Sequence, residues 1–178
     1  MRNNKIKQMT IASMLCAIGI IIPMFSPIKI IIEPASFTLG SHIPIMIAMF
    51  LSPAITLAVC VGTTIGFFFG GFPITIVLRA ASHIIFALIG SYWLSKNKNL
   101  LYDRKSMVLF FFILSLIHAI CEVLIVTPFF FSNPASSNYM YTILGLVGIG
   151  TVIHSMVDFT LSRIIYQLLF SNEKRSSN

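Results

Sequence analysis

The chain has 178 residues, of which 57% are hydrophobic and 10% charged, and its mean hydropathy is +0.93. These values lie far outside those of soluble domains, and apolar runs leave no room for a separate soluble domain. The net charge of +7 would suit a nucleic-acid binder, but Lys and Arg stand in short polar segments between the apolar runs. The sequence therefore predicts a single-domain integral membrane protein, residues 1–178, that binds no nucleic acid.

Apolar runs separated by helix breakers predict six helices, at residues 9–26, 41–52, 53–70, 73–95, 106–128 and 142–169. The basic segment MRNNKIKQ and the apolar run after it resemble a secretory signal, but no A-x-A-like cleavage site follows. We therefore expect an uncleaved first helix. Pro53 favours a tight hairpin between the second and third helices over one long helix. The expected fold class is all-α, a six-transmembrane-helix bundle.

The positions of Lys and Arg predict the orientation in the cell membrane. Lys29 would lie on one side, and the following would lie on the other: Arg2, Lys5, Lys7, Lys96, Lys98, Arg104, Lys105, Lys174 and Arg175. Because cytoplasmic loops carry the excess of basic residues, both termini are expected in the cytoplasm. The segments 27–40, 70–73 and 132–139 are then external.

Small residues mark two faces on which helices can approach closely in lipid. Gly62, Gly66 and Gly70 form a ridge that we expect to pack inside the bundle. The first helix carries a second small-residue face, made of the pairs Ala12 with Cys16 and Ser13 with Ala17. This face is either an intramolecular contact or a docking surface for another membrane protein.

Ionisable residues recur within three of the apolar spans, in pairs four residues apart and so on one helix face: Arg79 with His83, His118 with Glu122, and His154 with Asp158. Such groups are costly in hydrocarbon and should face the bundle interior. The sequence therefore predicts one binding cavity that opens outward. In the alternative, Arg79 and Glu122 only neutralise each other and the histidines join helices by hydrogen bonds. For Asp158 we expect a structural pair with Arg163.

Other chemistries lack a motif. There is no G-x-x-x-x-G-K-[ST] phosphate loop, no H-E-x-x-H, and no activated serine or cysteine nucleophile. The four histidines, His42 among them, lie on separate elements, and the three cysteines have no paired spacing. Binding or transport is therefore favoured over catalysis, and neither a cofactor nor a metal is expected.

The runs PASFTLGSHIPIMIAMFLSPA and GGFPITIVLRAASHIIFALIG, the long first loop and the small face of the first helix resemble one family. This family is the substrate-binding S components of energy-coupling factor (ECF) vitamin transporters, and the niacin-specific members are the most similar. The resemblance implies vitamin capture from outside and delivery inward with two cytosolic ATPases. It also implies docking of the small face on a transmembrane coupling protein; the family's Ala-x-x-x-Ala motif stands here as Ala12-x-x-x-Cys16.

Nicotinate is a planar ring with a carboxylate, and for this ligand we expect Arg79 to offer the bidentate donors that a buried anion requires. His83, His118 and Glu122 would contact the pyridine nitrogen or close a hydrogen-bond network. Candidates for a lid from the first loop are Glu33, Ser36, Thr38 and His42, and candidates for stacking on the ring are Tyr139 and Tyr141. Two alternatives stay open: an S component for another small vitamin, such as pantothenate or a pyrimidine precursor, and a stand-alone transporter in which Glu122 or Asp158 carries protons.

Overall fold

A computed structural model of the protein describes residues 2–32, 35–97, 99–100, 103–131, 138 and 140–170. Six α-helices and one short hairpin follow each other along the chain. They are α1 (Arg2–Phe25), β1 (Lys29–Ile32), β2 (Ala35–Thr38), α2 (Ile43–Leu51), α3 (Pro53–Phe69), α4 (Ile74–Lys96), α5 (Arg104–Phe131) and α6 (Gly150–Phe170), and a π-helical segment, Met140–Ile149, leads directly into α6. All six predicted helices are present, and the first begins seven residues earlier than the predicted start at residue 9.

Four helices of the described chain are long and apolar enough to cross a membrane. They cover Lys5–Phe25, Ile74–Lys96, Arg104–Phe131 and Tyr141–Leu169. Helix α3 has 17 residues and α2 only nine, a rise of about 14 Å against a hydrocarbon core of about 30 Å. The helical membrane class is therefore confirmed, whereas six crossings stay a prediction.

Helix α2 forms the centre of the bundle. Seven consecutive residues, from Pro44 to Phe50, are buried, and α2 contacts α1, α3, α4 and α6. A helix that is apolar on all sides is stable only when other elements surround it. It ends at Ser52, whose backbone is extended and whose hydroxyl accepts a hydrogen bond from the Ile55 amide at 3.3 Å. The predicted break between the second and third helices is thus confirmed.

The predicted glycine ridge packs α3 against α1. A β-carbon at Gly62 would lie 2.6 Å from the Cys16 sulfur, and one at Gly66 would overlap the side chain of Ile20. Gly70, the third member, lies outside this contact at the C-terminal cap of α3. Internal packing is therefore confirmed for the first two glycines.

The small face of α1 is divided between the interior and the outer surface. Ala12 and Cys16 are half-buried against the core, and the Cys16 thiol lies 3.6 Å from the Ala58 carbonyl oxygen of α3. Ser13 and Ala17 are exposed on the outside of the bundle. Docking of a partner on this face stays a prediction, and the exposed pair is the part of it that a partner can reach.

Residues 27–40, expected to form a long external loop, contain an antiparallel hairpin. Lys29 pairs with Thr38 and Ile32 with Ala35. An isolated two-stranded hairpin is marginally stable at best in water, so four-residue strands give a weak sequence signal without the surface that supports them. After β2, Gly40 adopts φ +81° and leads the chain into α2.

Candidate functional site

A cavity lies where the hairpin, the end of α1, the second half of α3, the first half of α4, the second half of α5 and the start of α6 meet. Its volume is about 70 Å³. The polar residues that line it are Thr38, Ser41, His42, Thr63, Arg79, His83, His118, Glu122, Thr151 and His154, and apolar side chains such as Phe37 and Phe67 complete the wall. The three i,i+4 pairs thus supply five residues of one cavity lining, as predicted.

The carboxylate of Glu122 is the centre of this polar network. The Arg79 Nε–H donates to Glu122 Oε2, and both side chains are buried. Glu122 Oε1 lies 3.2 Å from His118 Nε2 and 3.4 Å from His83 Nε2. Three polar neighbours compensate the burial of one carboxylate, which would otherwise be strongly unfavourable at this depth.

The four imidazole rings form one cluster around His42. Its ring centre lies 4.7 Å from that of His83, 4.8 Å from that of His118 and 4.9 Å from that of His154, with edge-to-face geometry. His118 Nδ1 is hydrogen-bonded to the hydroxyl of Ser155 at 2.8 Å. His83 Nδ1, in contrast, is buried without a hydrogen-bond partner among the described residues.

Asp158 of α6 holds the turn that connects the hairpin to α2. Its carboxylate accepts hydrogen bonds from the Gly40 amide at 2.9 Å and the His42 amide at 3.2 Å. The His42 ring is a third partner, with Nδ1 3.1 Å from Oδ2. The expected pairing of Asp158 with Arg163 is therefore wrong as an account of this carboxylate, because tertiary folding brings donors from residues far away in the sequence.

Phe37 closes the cavity from the hairpin side. Its ring rests on α6, where a β-carbon at Gly150 would lie 2.7 Å from the tip of the ring. The ring centre also lies 5.6 Å from that of His154. The hairpin thus contacts the cluster through one aromatic ring, and the turn after it is fixed to α6 by the hydrogen bonds to Asp158.

Most of the predicted site residues that the structure describes come together, and one lies elsewhere. Arg79, His83, His118, Glu122 and His42 all line the cavity, together with the lid candidate Thr38. The structure leaves Glu33, Tyr139 and the side chain of Ser36 outside its described part. Tyr141 is 67% exposed and does not line the cavity.

Five contributors are not predicted by the sequence patterns: Phe37, Ser41, Thr63, Thr151 and Ser155. A signal for the last two was present, since Thr151, Ser155, Asp158 and Ser162 recur at spacings of four, three and four, and all four are buried. This pattern marks a polar face of a helix in an otherwise apolar span. Phe37 and Thr63 have no comparable signal, because single residues of these types are ordinary in membrane proteins.

Comparison with known proteins shows the family. The niacin transporter NiaX of Lactococcus lactis subsp. cremoris (strain MG1363) is 42% identical over 161 residues, which cover 89% of this chain and 72% of that protein. The chain belongs to this family, the niacin-type S components of ECF vitamin transporters. No family model matches the chain, and no solved structure does. It is a multi-pass membrane protein with a role in vitamin transport.

Proposed function

We propose that the chain is the substrate-capture subunit of an ECF importer and that it binds nicotinate in the cavity below the hairpin. The observation that carries the proposal is a buried arginine beside a cluster of imidazoles, in a chain 42% identical to a niacin transporter. Nicotinate is a planar ring with a carboxylate at one side and a pyridine nitrogen in the ring. An arginine and a group of nitrogen-rich rings match these two features.

In this arrangement Arg79 binds the nicotinate carboxylate, and the pyridine nitrogen faces the imidazole cluster. The guanidinium group has five N–H donors in a fixed fork, and one of them, Nε–H, contacts Glu122. Glu122 therefore orients the arginine for the ligand. His83 Nδ1 is buried without a hydrogen-bond partner among the described residues, which leaves one polar atom of the cavity wall open to a ligand.

Ligand entry requires the site to open. The cavity volume of about 70 Å³ is well below the roughly 300 Å³ at the small end of ligand pockets. Phe37, Thr38, Ser41 and His42 line one side of it, and all four belong to the segment between α1 and α2. We propose that this segment is the lid, which moves outward to admit nicotinate and closes over it.

The position of the site fits capture from outside. Each long helix that lines the cavity does so with the half that lies away from the basic segments around Lys96 and Arg104. The positive-inside rule places those basic segments in the cytoplasm. The proposed topology has both termini in the cytoplasm and the cavity near the external surface. Delivery inward requires a transmembrane coupling protein and two cytosolic ATPases, because the chain has no phosphate loop.

Binding of labelled nicotinate to the purified protein in detergent tests the ligand, with nicotinamide and pantothenate as competitors. We expect nicotinate to bind in preference to both. The charge-neutral double variant Arg79→Gln/Glu122→Gln should weaken nicotinate binding by about 30-fold or more, because the anion loses its cationic partner. The control variant Arg104→Gln, at the opposite end of α5 and exposed, should bind as the wild type does.

Two outcomes would redirect the proposal. If pantothenate binds and nicotinate does not, the chain is an S component for another vitamin. Uptake into proteoliposomes that contain this chain alone, without ATPase partners, would instead show a proton-coupled secondary transporter. Reconstitution with the coupling protein and both ATPases should give uptake only when ATP is supplied on the side of the basic segments.

A further inference from the structure

We propose that the imidazole cluster binds one divalent transition-metal ion of the Zn²⁺ type, held by His42, His83 and His118. One ring nitrogen from each of these three residues lies within 4.8 Å of the other two. Around an ion with Zn–N distances of about 2.0–2.1 Å, three nitrogens in tetrahedral positions lie roughly 3.4 Å apart. Small rotations of the rings therefore bring the three into coordinating positions.

The hydrogen bonds of the cluster leave nitrogen lone pairs available for an ion. His83 Nδ1 is buried and has no hydrogen-bond partner among the described residues, and the residue is only 9% exposed. His42 directs Nδ1 at the Asp158 carboxylate, 3.1 Å away, which places the proton there and the lone pair on Nε2. A carboxylate behind a histidine is the arrangement that orients metal ligands in proteins. The His118 ring lies between Ser155, 2.8 Å from Nδ1, and Glu122 Oε1, 3.2 Å from Nε2. It becomes a ligand through Nε2 in the tautomer that carries its proton on Nδ1, where the Ser155 hydroxyl accepts it.

The balance of charge also calls for a cation. Neutral imidazoles are the form that binds metals. With them, the charged groups that the described residues bring to the cavity and to the turn beside it are the Arg79 cation and the carboxylates of Glu122 and Asp158, which sum to one negative charge. Adding nicotinate would bring a second uncompensated negative charge into a buried site. A divalent ion together with nicotinate instead gives a neutral site, which is far cheaper at membrane depth.

A three-histidine site leaves one tetrahedral position open toward the cavity. We assign this position to the pyridine nitrogen of nicotinate, while Arg79 holds the carboxylate. This second step and the charge balance with nicotinate rest on the proposed function, whereas the geometry of the three histidine ligands does not. The pyridine nitrogen is a hydrogen-bond acceptor, and it cannot pair with the free lone pairs of the imidazoles. An ion between them binds both.

The test begins without nicotinate. Protein purified through a tag that contains no histidine is stripped with a chelator, titrated with Zn²⁺, and its bound metal is counted after gel filtration. We expect one Zn²⁺ per chain. His42→Gln, His83→Gln and His118→Gln should each weaken Zn²⁺ binding by at least about 100-fold. Loss of a residue that only orients a metal ligand already costs up to about 100-fold in affinity, and loss of a ligand should cost more. Cys121→Ser, a half-buried thiol on α5 outside the cavity, serves as the control and should bind as the wild type does.

X-ray absorption at the zinc edge keeps the proposal testable even if a histidine variant fails to fold. The spectrum of the wild-type protein should show three imidazole nitrogens and no sulfur. The metal site would be overturned by any of three results: sulfur ligands in the spectrum, less than about half an equivalent of bound Zn²⁺, or wild-type Zn²⁺ binding by all three histidine variants.

Nicotinate binding to stripped and Zn²⁺-loaded protein separates the two proposals. Binding that is at least tenfold tighter with Zn²⁺, together with a change in the zinc-edge spectrum, supports coordination by the pyridine nitrogen. Equal binding in both forms overturns this coordination and leaves the proposed function standing. If Zn²⁺ binds as expected but nicotinate binds to neither form, the proposed function falls and the metal site remains.

Discussion

The ion pair of Arg79 and Glu122 offers the sharpest test of the polar network. Arg79→Gln removes the charge that faces Glu122 Oε2, on a carboxylate that is 2% exposed. Breaking a buried pair by removing one partner usually costs about 3–5 kcal/mol, since the remaining charge stays buried. Glu122 Oε1 keeps His118 and His83 at 3.2 and 3.4 Å, so we expect the lower end of this range, about 3 kcal/mol.

The double variant Arg79→Gln/Glu122→Gln removes both charges and should recover most of this loss. Neutral replacements of a buried pair are often close to neutral in stability, so we expect the double variant within about 1 kcal/mol of the wild type. The two substitutions are then strongly non-additive, as contacting residues generally are. Arg104→Gln is the matched control, and as an exposed residue it should change stability by less than about 0.5 kcal/mol.

The free energy of unfolding can be measured by SDS-driven unfolding in mixed micelles, followed by circular dichroism. A loss of about 3 kcal/mol lowers the ratio of folded to unfolded protein roughly a hundredfold, well above experimental scatter. The reasoning is refuted if Arg79→Gln unfolds at the same SDS fraction as the wild type. It is also refuted if the double variant is no more stable than Arg79→Gln alone.

Three further substitutions test the packing and the lid. Gly66→Ala places a β-carbon against Ile20 and should destabilise the protein by about 1–2 kcal/mol in the same unfolding assay, through the α1–α3 contact. The control Gly148→Ala meets only an ordinary contact at 3.5 Å and should not destabilise it. Equal effects would contradict the packing argument. Gly40→Ala and Gly71→Ala each strain a positive φ, of +81° and +75°, by about 1–2 kcal/mol. Only Gly40→Ala should weaken nicotinate binding, measured as Kd. Unchanged binding would argue against the lid. Asp158→Asn replaces a carboxylate that faces three donors by an amide that carries its own N–H donors. We expect the free energy of unfolding, measured by heat or SDS, to fall by about 1–3 kcal/mol. Wild-type stability would show that these hydrogen bonds to Asp158 contribute nothing.

The number and order of the helices follow from the sequence because lipid imposes a strong rule. A spanning segment must be apolar and must satisfy its own backbone hydrogen bonds, so apolar runs between Pro, Gly and charged residues predict helices directly. The predicted breaks at Ser52-Pro53 and at residues 70–73 coincide with the observed ends of α2 and α3. The same rule identified the pairs headed by Arg79, His118 and His154, because ionisable residues in apolar spans are conspicuous.

The partners of those residues could not be predicted, because helix periodicity determines which face a side chain occupies and says nothing of what lies opposite. Asp158 was paired with Arg163 five residues later, and the structure instead gives it the amides of Gly40 and His42. The hairpin was missed because strands of four residues depend on the surface that supports them. Likewise, no spacing in the sequence indicates three nitrogens within 4.8 Å of one another.

Sequence was therefore sufficient for the membrane class, the helices and the residues with unusual chemistry, since each is a local property of composition and period. Tertiary structure alone decided that His42, contributed by the segment after the hairpin, lies at the centre of the imidazole cluster, and that Phe37 covers it. Several of these contacts join residues more than 100 positions apart in the chain, such as Phe37 with His154 and His42 with Asp158. They depend on how α2 is enclosed by its neighbours, and that packing is a property of the whole bundle.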